Sequence, residues 1–592
     1  MKMINKLLLS IGLIGLIISC KPEIEMPAPS AGSIDLSNFL AMGNSLTAGY
    51  QDNGLYNEGQ AQSFPAIIAK QLQEVNPNLP FIQPEIPGSG SGYLKLEKLD
   101  LANQIFQFET IDPDPSWTNK IPGTFQNLGM PGIRVKDIVM NGYGASPEIG
   151  NPYFYRILAE NEAFKSYLDK VSEAEVSLYT CWLGNNDVLG YATSGGAFGV
   201  DGNPPIGLGG FTPVDEFRDN YDALINVLEG KGAKGVLGTI PNVTNIPFFT
   251  SIAWNSIVLD EASAAIANGF YSSQIDPLVE AGVESTLINL VATDTVVSVA
   301  VIPPLADTTV WTGAYQAAIQ GGATEQEAVA AADAYLASPQ GQADSDSLEA
   351  ALNAELPNYL LGYPVSPQLE PLFDIIGMLI ETDPTLQAGI QAAEAGIQQA
   401  YDAGLLPELE AEVETQTQNQ IAGLKALGYY PTFNVGPNGF VMEMPVTASN
   451  PLGLRQMVEG ELVLFTAAAV LGDPQQALAP QPDYLILNKE ELVEIDAFTS
   501  AYNQIIEGYE NANTAVINMD ELLSKYSAGL FIDGVEVDGA FIQGGLFSLD
   551  AVHLTPRGYA IVANEFINEF NTAFNASIPP INISIYRGVI LP

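Results

Sequence analysis

Apolar and polar positions along this chain follow two different periods, and the pattern switches twice. From about residue 36 to 249, short apolar runs ending at glycine or proline are interleaved with helical periods. "SNFLAMG" (37–43) and "KGVLGTIP" (234–241) read as buried strands, and "EVSLYTCWLG" (175–184) as a third. "SFPAIIAKQLQEV" (63–75) predicts a helix with Pro65 near its start. "TPVDEFRDNYDALINVLEG" (212–230) predicts another, with Thr212 as N-cap, Pro213 as its first residue and Asp215 in the first turn. Strands alternating with helices predict an α/β domain.

Between about 250 and 480 the strand pattern gives way to long segments rich in Ala, Glu and Gln. "TEQEAVAAADAYLAS" (324–338) opens with a capping box from Thr324 to Glu327. "DPTLQAGIQAAEAGIQQAYDAG" (383–404) and "PELEAEVETQTQNQIAGLKALG" (407–428) are joined by a short loop and predict an antiparallel helix pair. "PLFDIIGMLI" (371–380) is apolar enough for a lid or a lipid-facing surface, although such a run is more often a buried helix. No repeat of 20–50 residues runs through the region, so a solenoid is not expected.

The first pattern returns near 481. "DYLILN" (483–488) looks extended, a helix follows with Asn488 as cap and Glu491 in the capping box, and "TAVINMDELL" (514–523) reads as a strand. "TPRGYAIVANEFINEFN" (555–571) predicts a helix capped by Thr555, with Tyr559, Val562, Ala563, Phe566 and Phe570 on its apolar face. The expectation is one α/β domain formed by 36–249 and 481–575, interrupted by a mainly helical insertion at 250–480. A C-terminal extension (576–592) contains "NISIYRGVI", which predicts one more strand.

Composition narrows the function. The net charge is −48, from 69 acidic and 21 basic residues, which disfavours nucleic acid and anionic lipid surfaces as partners. The acidic run "ADSDS" (343–347) lacks the spaced ligands and distal glutamate of a calcium loop. The chain has one histidine and two cysteines, too few for a Cys/His metal cluster or an internal disulfide once Cys20 is set aside. No metal and no cofactor is expected.

The N-terminus starts with Lys2 and Lys6 and continues with an apolar run, Leu7 to Ile18, too short to span a bilayer. It ends in Ile17-Ile18-Ser19-Cys20, which resembles the lipobox of bacterial lipoproteins. The resemblance implies a signal peptide at 1–19, lipidation of Cys20, a Pro-rich tether at 20–35, and anchoring at the bacterial cell envelope, with the outer membrane expected. A plain signal peptide with an incidental cysteine is the alternative.

The single histidine, His553, stands three residues after Asp550 and just before the Thr555 cap. An aspartate so placed can accept from the imidazole Nδ1–H and leave Nε2 free as a base. Read alone, so short and common a pattern is more often a loop histidine beside a capping aspartate. Ser45, in "AMGNSLTAGY" (41–50), follows a strand, where α/β sheets present groups to ligands, although a helix-capping serine has the same look. "NLGMPGIRV" (127–135) offers Gly129 and Gly132 for close backbone approach, or simply a turn. "LGNNDV" (183–188) offers the Asn186 amide, or an Asx turn.

Taken in order, Gly43-Asn44-Ser45-Leu46, Asn127 to Gly132, Gly184-Asn185-Asn186-Asp187 and Asp550 to His553 resemble the four signature blocks of the SGNH (GDSL) hydrolases, with Asn44 where the family usually has aspartate. The resemblance implies a flavodoxin-like SGNH sheet. It implies Ser45 as nucleophile, His553 as base and Asp550 as its orienting carboxylate. The oxyanion would be met by Ser45, Gly132 and Asn186, with Gly129 competing for the glycine's place. The expected activity is carboxylic ester hydrolysis on lipid, acylated sugar or short acyl esters. The rival expectation is a catalytically silent lipoprotein of the same fold that binds glycan or a protein partner.

Overall fold

The computed structural model describes residues 28–100, 105–197, 209–448 and 450–592. Cys20, the signal segment 1–19 and the tether as far as residue 27 lie outside the described residues. The chain forms two compact units. One takes the chain up to Ile257, Pro437–Glu443 and Met457–Pro592; the other takes Val258–Gly436 and Met444–Gln456.

The first unit is built on a parallel sheet of five strands: β1 (Phe39–Gly43), β2 (Asn127–Gly129), β3 (Leu178–Trp182), β4 (Lys234–Gly238) and β5 (Thr514–Ile517). Their spatial order is 2-1-3-4-5, with every adjacent pair parallel. Every residue of β1 and β3 is buried, as a parallel sheet covered on both faces requires. The helices Phe64–Val75 and Pro556–Phe574 pack together through Phe64 stacked on Phe566, 5.1 Å between ring centres. The helices Val214–Gly230 and Lys489–Glu507 pack through Phe217 stacked on Tyr502 at 4.1 Å. Strand order reverses between β1 and β3, so their carboxyl ends diverge into a crevice.

Four local expectations are corrected. The helix after Thr212 starts at Val214 with Pro213 as its cap residue, because the Thr212 hydroxyl donates to Asp187 instead of capping. Only Thr514–Ile517 of "TAVINMDELL" is a strand; Asn518 then caps a helix, Met519–Ser527, by accepting from the Glu521 N–H. In "DYLILN", Asp483–Leu485 is a 3₁₀ turn, and the two-residue strand Ile486–Leu487 pairs antiparallel with Leu462–Val463, outside the main sheet. The tail adds no strand: Asn582 accepts from the Ser584 N–H and turns Ile583–Ile585 into a 3₁₀ helix, with Ile583 buried.

The second unit is predominantly helical. Its longest helix, Glu261–Ala300, buries Ala264, Ala267, Tyr271, Ile275, Val279 and Val283 along one face. The helices Pro384–Asp402 and Pro407–Ala426 contact each other, yet both lie mainly along that long helix. The helix Glu370–Thr382, containing the apolar run 371–380, turns Phe373 and Ile376 into a core shared with Leu352, Leu356 and Val297.

Candidate active site

The candidate catalytic and oxyanion-hole residues sit at the carboxyl end of the main sheet, within the first unit. β1 ends at Gly43, and Ser45 opens a one-turn helix, Ser45–Ala48. Asn44 caps that turn: its Oδ1 accepts from the Leu46 N–H at 3.0 Å. A carboxamide oxygen performs that role as well as a carboxylate oxygen, so asparagine at this position keeps the turn intact.

The loop bearing Asp550 and His553 is folded back on itself. The Ser548 N–H donates to the His553 carbonyl at 2.7 Å, and Ala551 adopts a left-handed φ of 63°. Just beyond, Thr555 caps the last long helix, its Oγ1 accepting from the Gly558 N–H at 3.1 Å. This geometry brings His553 Nδ1 to 2.9 Å from Asp550 Oδ2 and Nε2 to 2.8 Å from Ser45 Oγ. With Nδ1–H donating to the carboxylate, Nε2 is the acceptor and the serine hydroxyl donates to it. The Tyr50 ring lies 4.6 Å from the imidazole, centre to centre, and bounds it on one side.

Asp550 accepts five hydrogen bonds: from Asn53 N–H (2.8 Å) and His553 Nδ1 on Oδ2, and from Val552 N–H (2.9 Å), His553 N–H (2.8 Å) and the Ser548 hydroxyl (3.1 Å) on Oδ1. Burial pushes its pKa up, but the attraction of His553 and these hydrogen bonds outweigh burial and hold the carboxyl well below its ordinary value. It is a charged group at any pH where an imidazole titrates.

Sequence reasoning missed the support beneath this loop. Asp52 and Asn53 both take left-handed φ values, 55° and 62°, which turn the Asn53 N–H onto Asp550. The Asp52 N–H donates to Ser548 Oγ at 2.9 Å, and its carboxylate accepts from the Leu549 N–H at 3.0 Å and the Tyr56 hydroxyl at 2.8 Å. Leu549 in turn packs with Leu96, from the antiparallel pair Tyr93–Asp100 and Ile105–Ile111. "QDNG" (51–54) is legible as a turn, since Asp and Asn tolerate that backbone, but its partner lies nearly five hundred residues away.

The two glycines of the second motif have different surroundings. Gly132 has φ +82°, and a Cβ there would meet nothing nearer than Asn151 Nδ2 at 4.0 Å, so its surface is open. A Cβ on Gly129 would fall 2.3 Å from the Ala48 backbone nitrogen; that glycine exists so that β2 can press against the Ser45 turn. Asn186 begins the helix Asn186–Thr193 after β3, and its side-chain amide donates one N–H to the Ile133 carbonyl at 2.8 Å. The neighbouring Asp187 is fully buried. It accepts from the Val135 N–H on both oxygens (3.0 and 2.9 Å) and from Thr212 Oγ1, which clamps the Gly132–Val135 segment against the helix carrying Asn186. Burial pushes the Asp187 carboxyl up to about 7, against those hydrogen bonds.

Ser45, His553, Asp550, Asn186 and Gly132 line one cleft of about 400 Å³, completed by Tyr50, Pro131, Tyr153 and Phe248 among others. Cys181 lies outside it, buried in β3, where burial pushes its thiol up to about 12 and leaves it unreactive. Among the described residues no group of three His, Cys, Asp or Glu side chains is arranged to hold a metal ion. A hydroxyl hydrogen-bonded to an imidazole, itself hydrogen-bonded to an ionised carboxylate, is an arrangement that can make the hydroxyl a nucleophile. No family model, curated protein or solved structure matches this chain.

Proposed function

We propose that this protein is a serine esterase of the SGNH (GDSL) type that hydrolyses carboxylic esters through an acyl-serine intermediate. The observation that carries the proposal is the continuous chain Ser45 Oγ, His553, Asp550, with links of 2.8 and 2.9 Å, formed by the protein's single histidine.

In this mechanism Ser45 Oγ attacks the ester carbonyl carbon as its proton passes to His553 Nε2. The carbonyl electron pair moves onto oxygen, where the Ser45 and Gly132 N–H groups and the free N–H of the Asn186 amide receive it. Each such donor is worth about 2.7–4 kcal/mol of barrier. Collapse of the intermediate expels the alcohol, which takes the proton from Nε2. Water then attacks the acyl-serine with His553 again as base, releasing the carboxylic acid and free Ser45. Asp550 holds the imidazole tautomer throughout and stabilises the imidazolium as it forms.

Anchoring at a bacterial cell envelope through lipidated Cys20 belongs to the same proposal and is supported by the N-terminal sequence alone. The test of activity is a panel of p-nitrophenyl esters, acetylated sugars and phospholipids against wild type, Ser45→Ala and His553→Ala. Hydrolysis by wild type, with both variants at background, is the expected result. Equal turnover by Ser45→Ala would overturn the proposal.

A further inference from the structure

Ser45 and His553 face a second space besides the cleft. It is a cavity of about 40 Å³, walled by Trp182, Pro241, Val243, Ile246, Leu523 and Phe547. The polar residues lining it are Ser45, Asn186 and His553 themselves with their neighbours Asn44 and Asn185. Its apolar walls belong to the buried core: Trp182 is wholly inaccessible, and Phe547, Val243 and Ile246 are nearly so. The Trp182 indole is further fixed by its N–H donating to the Thr239 carbonyl at 3.0 Å.

We infer that this cavity is the acyl pocket, and that the enzyme's substrates are esters of short, unbranched acyl groups of about two to four carbons, joined to a larger polar alcohol. The inference rests on the esterase function proposed above and specifies its substrate. The tetrahedral carbon on Ser45 carries three other groups. The oxyanion lies towards Gly132 and Asn186. The leaving oxygen must reach His553 Nε2 and then solvent, so the alcohol belongs in the larger cleft, where Asn53, Tyr153 and Thr193 offer polar groups. The acyl substituent is left with the small apolar cavity. This space is about a tenth of the volume of the cleft, so it suits a short acyl group and not a long chain. A longer chain would have to displace packed core side chains, which close-packed interiors resist.

The experiment measures kcat/KM for p-nitrophenyl acetate, butyrate, octanoate and palmitate, in parallel with fluorophosphonate labelling of Ser45. Wild type is expected to label and to prefer acetate or butyrate over octanoate by at least tenfold. Leu523→Ala, which enlarges the pocket, is expected to raise octanoate turnover relative to acetate. Val243→Leu, which fills it, is expected to depress butyrate relative to acetate; the two variants act in opposite directions, so misfolding of one does not spare the inference. Labelling of Ser45 with octanoate or palmitate preferred would overturn the pocket assignment and leave the esterase standing. Absence of both labelling and ester cleavage would overturn the esterase and this inference with it.

Discussion

The most discriminating substitution is Asp550→Asn, because it changes hydrogen-bond polarity without changing shape. Each carboxylate oxygen of Asp550 faces donors: Oδ1 faces Val552 N–H, His553 N–H and Ser548 Oγ, and Oδ2 faces Asn53 N–H and His553 Nδ1. The new amide NH₂ must replace one of them. At Oδ1 it would oppose two backbone N–H groups, neither of which can become an acceptor. At Oδ2 it opposes one, and the imidazole can adapt by moving its proton from Nδ1 to Nε2. The second arrangement is the cheaper, and it points Nε2–H at Ser45 Oγ. The base is then already protonated on the nitrogen that must accept. The expected loss is about 10⁴-fold in kcat/KM, equivalent to about 5.4 kcal/mol of transition-state stabilisation. The opposed Asn53 N–H costs a further ~1–3 kcal/mol of stability. The assay is acetyl-ester hydrolysis from pH 6 to 9, with thermal melts to show that the variant is folded. A folded Asp550→Asn protein retaining more than about a tenth of wild-type activity would refute the tautomer argument. The depressed folded-state pKa of Asp550 fixes the sign of a second effect. Its stabilisation is fully present above the ordinary carboxylate pKa of about 4 and is lost as pH falls, so the stability gap between wild type and variant should narrow in acid.

Other substitutions separate catalysis from packing. Gly132→Ala forces a side chain into a left-handed backbone and should lower kcat by about 10²–10³ with a modest drop in melting temperature, whereas Gly129→Ala, clashing with Ala48, should lower the melting temperature more than Gly132→Ala does. Asn44→Asp should leave activity and melting unchanged, while Asn44→Ala should cost about 1 kcal/mol through the lost cap, read by denaturant titration. Asp187 has a raised folded-state pKa of about 7, so the folded protein keeps a proton that the unfolded chain releases near pH 4. Its contribution to stability is largest below pH 4 and declines up to about 7; between pH 5 and 8, wild type should therefore lose melting temperature relative to Asp187→Asn, and parallel curves would contradict the assignment.

What the sequence made legible is what local physics determines. Apolar runs stopped by glycine marked β1 and β3, because a buried parallel strand needs no polar face. Thr324 with Glu327, Asn488 with Glu491, and Thr555 form caps as their spacing predicts, since both partners lie in one turn. Thr212 did not, because a buried carboxylate distant in sequence, Asp187, took its hydroxyl. Residues 514–523 read as one strand, but Asn518 ends the strand and starts a helix. In the site, the four motifs were visible as residue types. The bonds between Asp52, Asn53 and the Ser548–Asp550 loop were not, because nothing in either segment names the other.

In the proposed mechanism Ser45 is made nucleophilic by His553 and Asp550. That activation is tested most directly by treating wild type, His553→Ala and Asp550→Asn with a fluorophosphonate and mapping the adduct by peptide mass spectrometry. One adduct is expected, on the peptide containing Ser45, formed at rates that fall by orders of magnitude in both variants. An adduct on any other residue, or labelling of Ser45 at an undiminished rate without the imidazole, would contradict it.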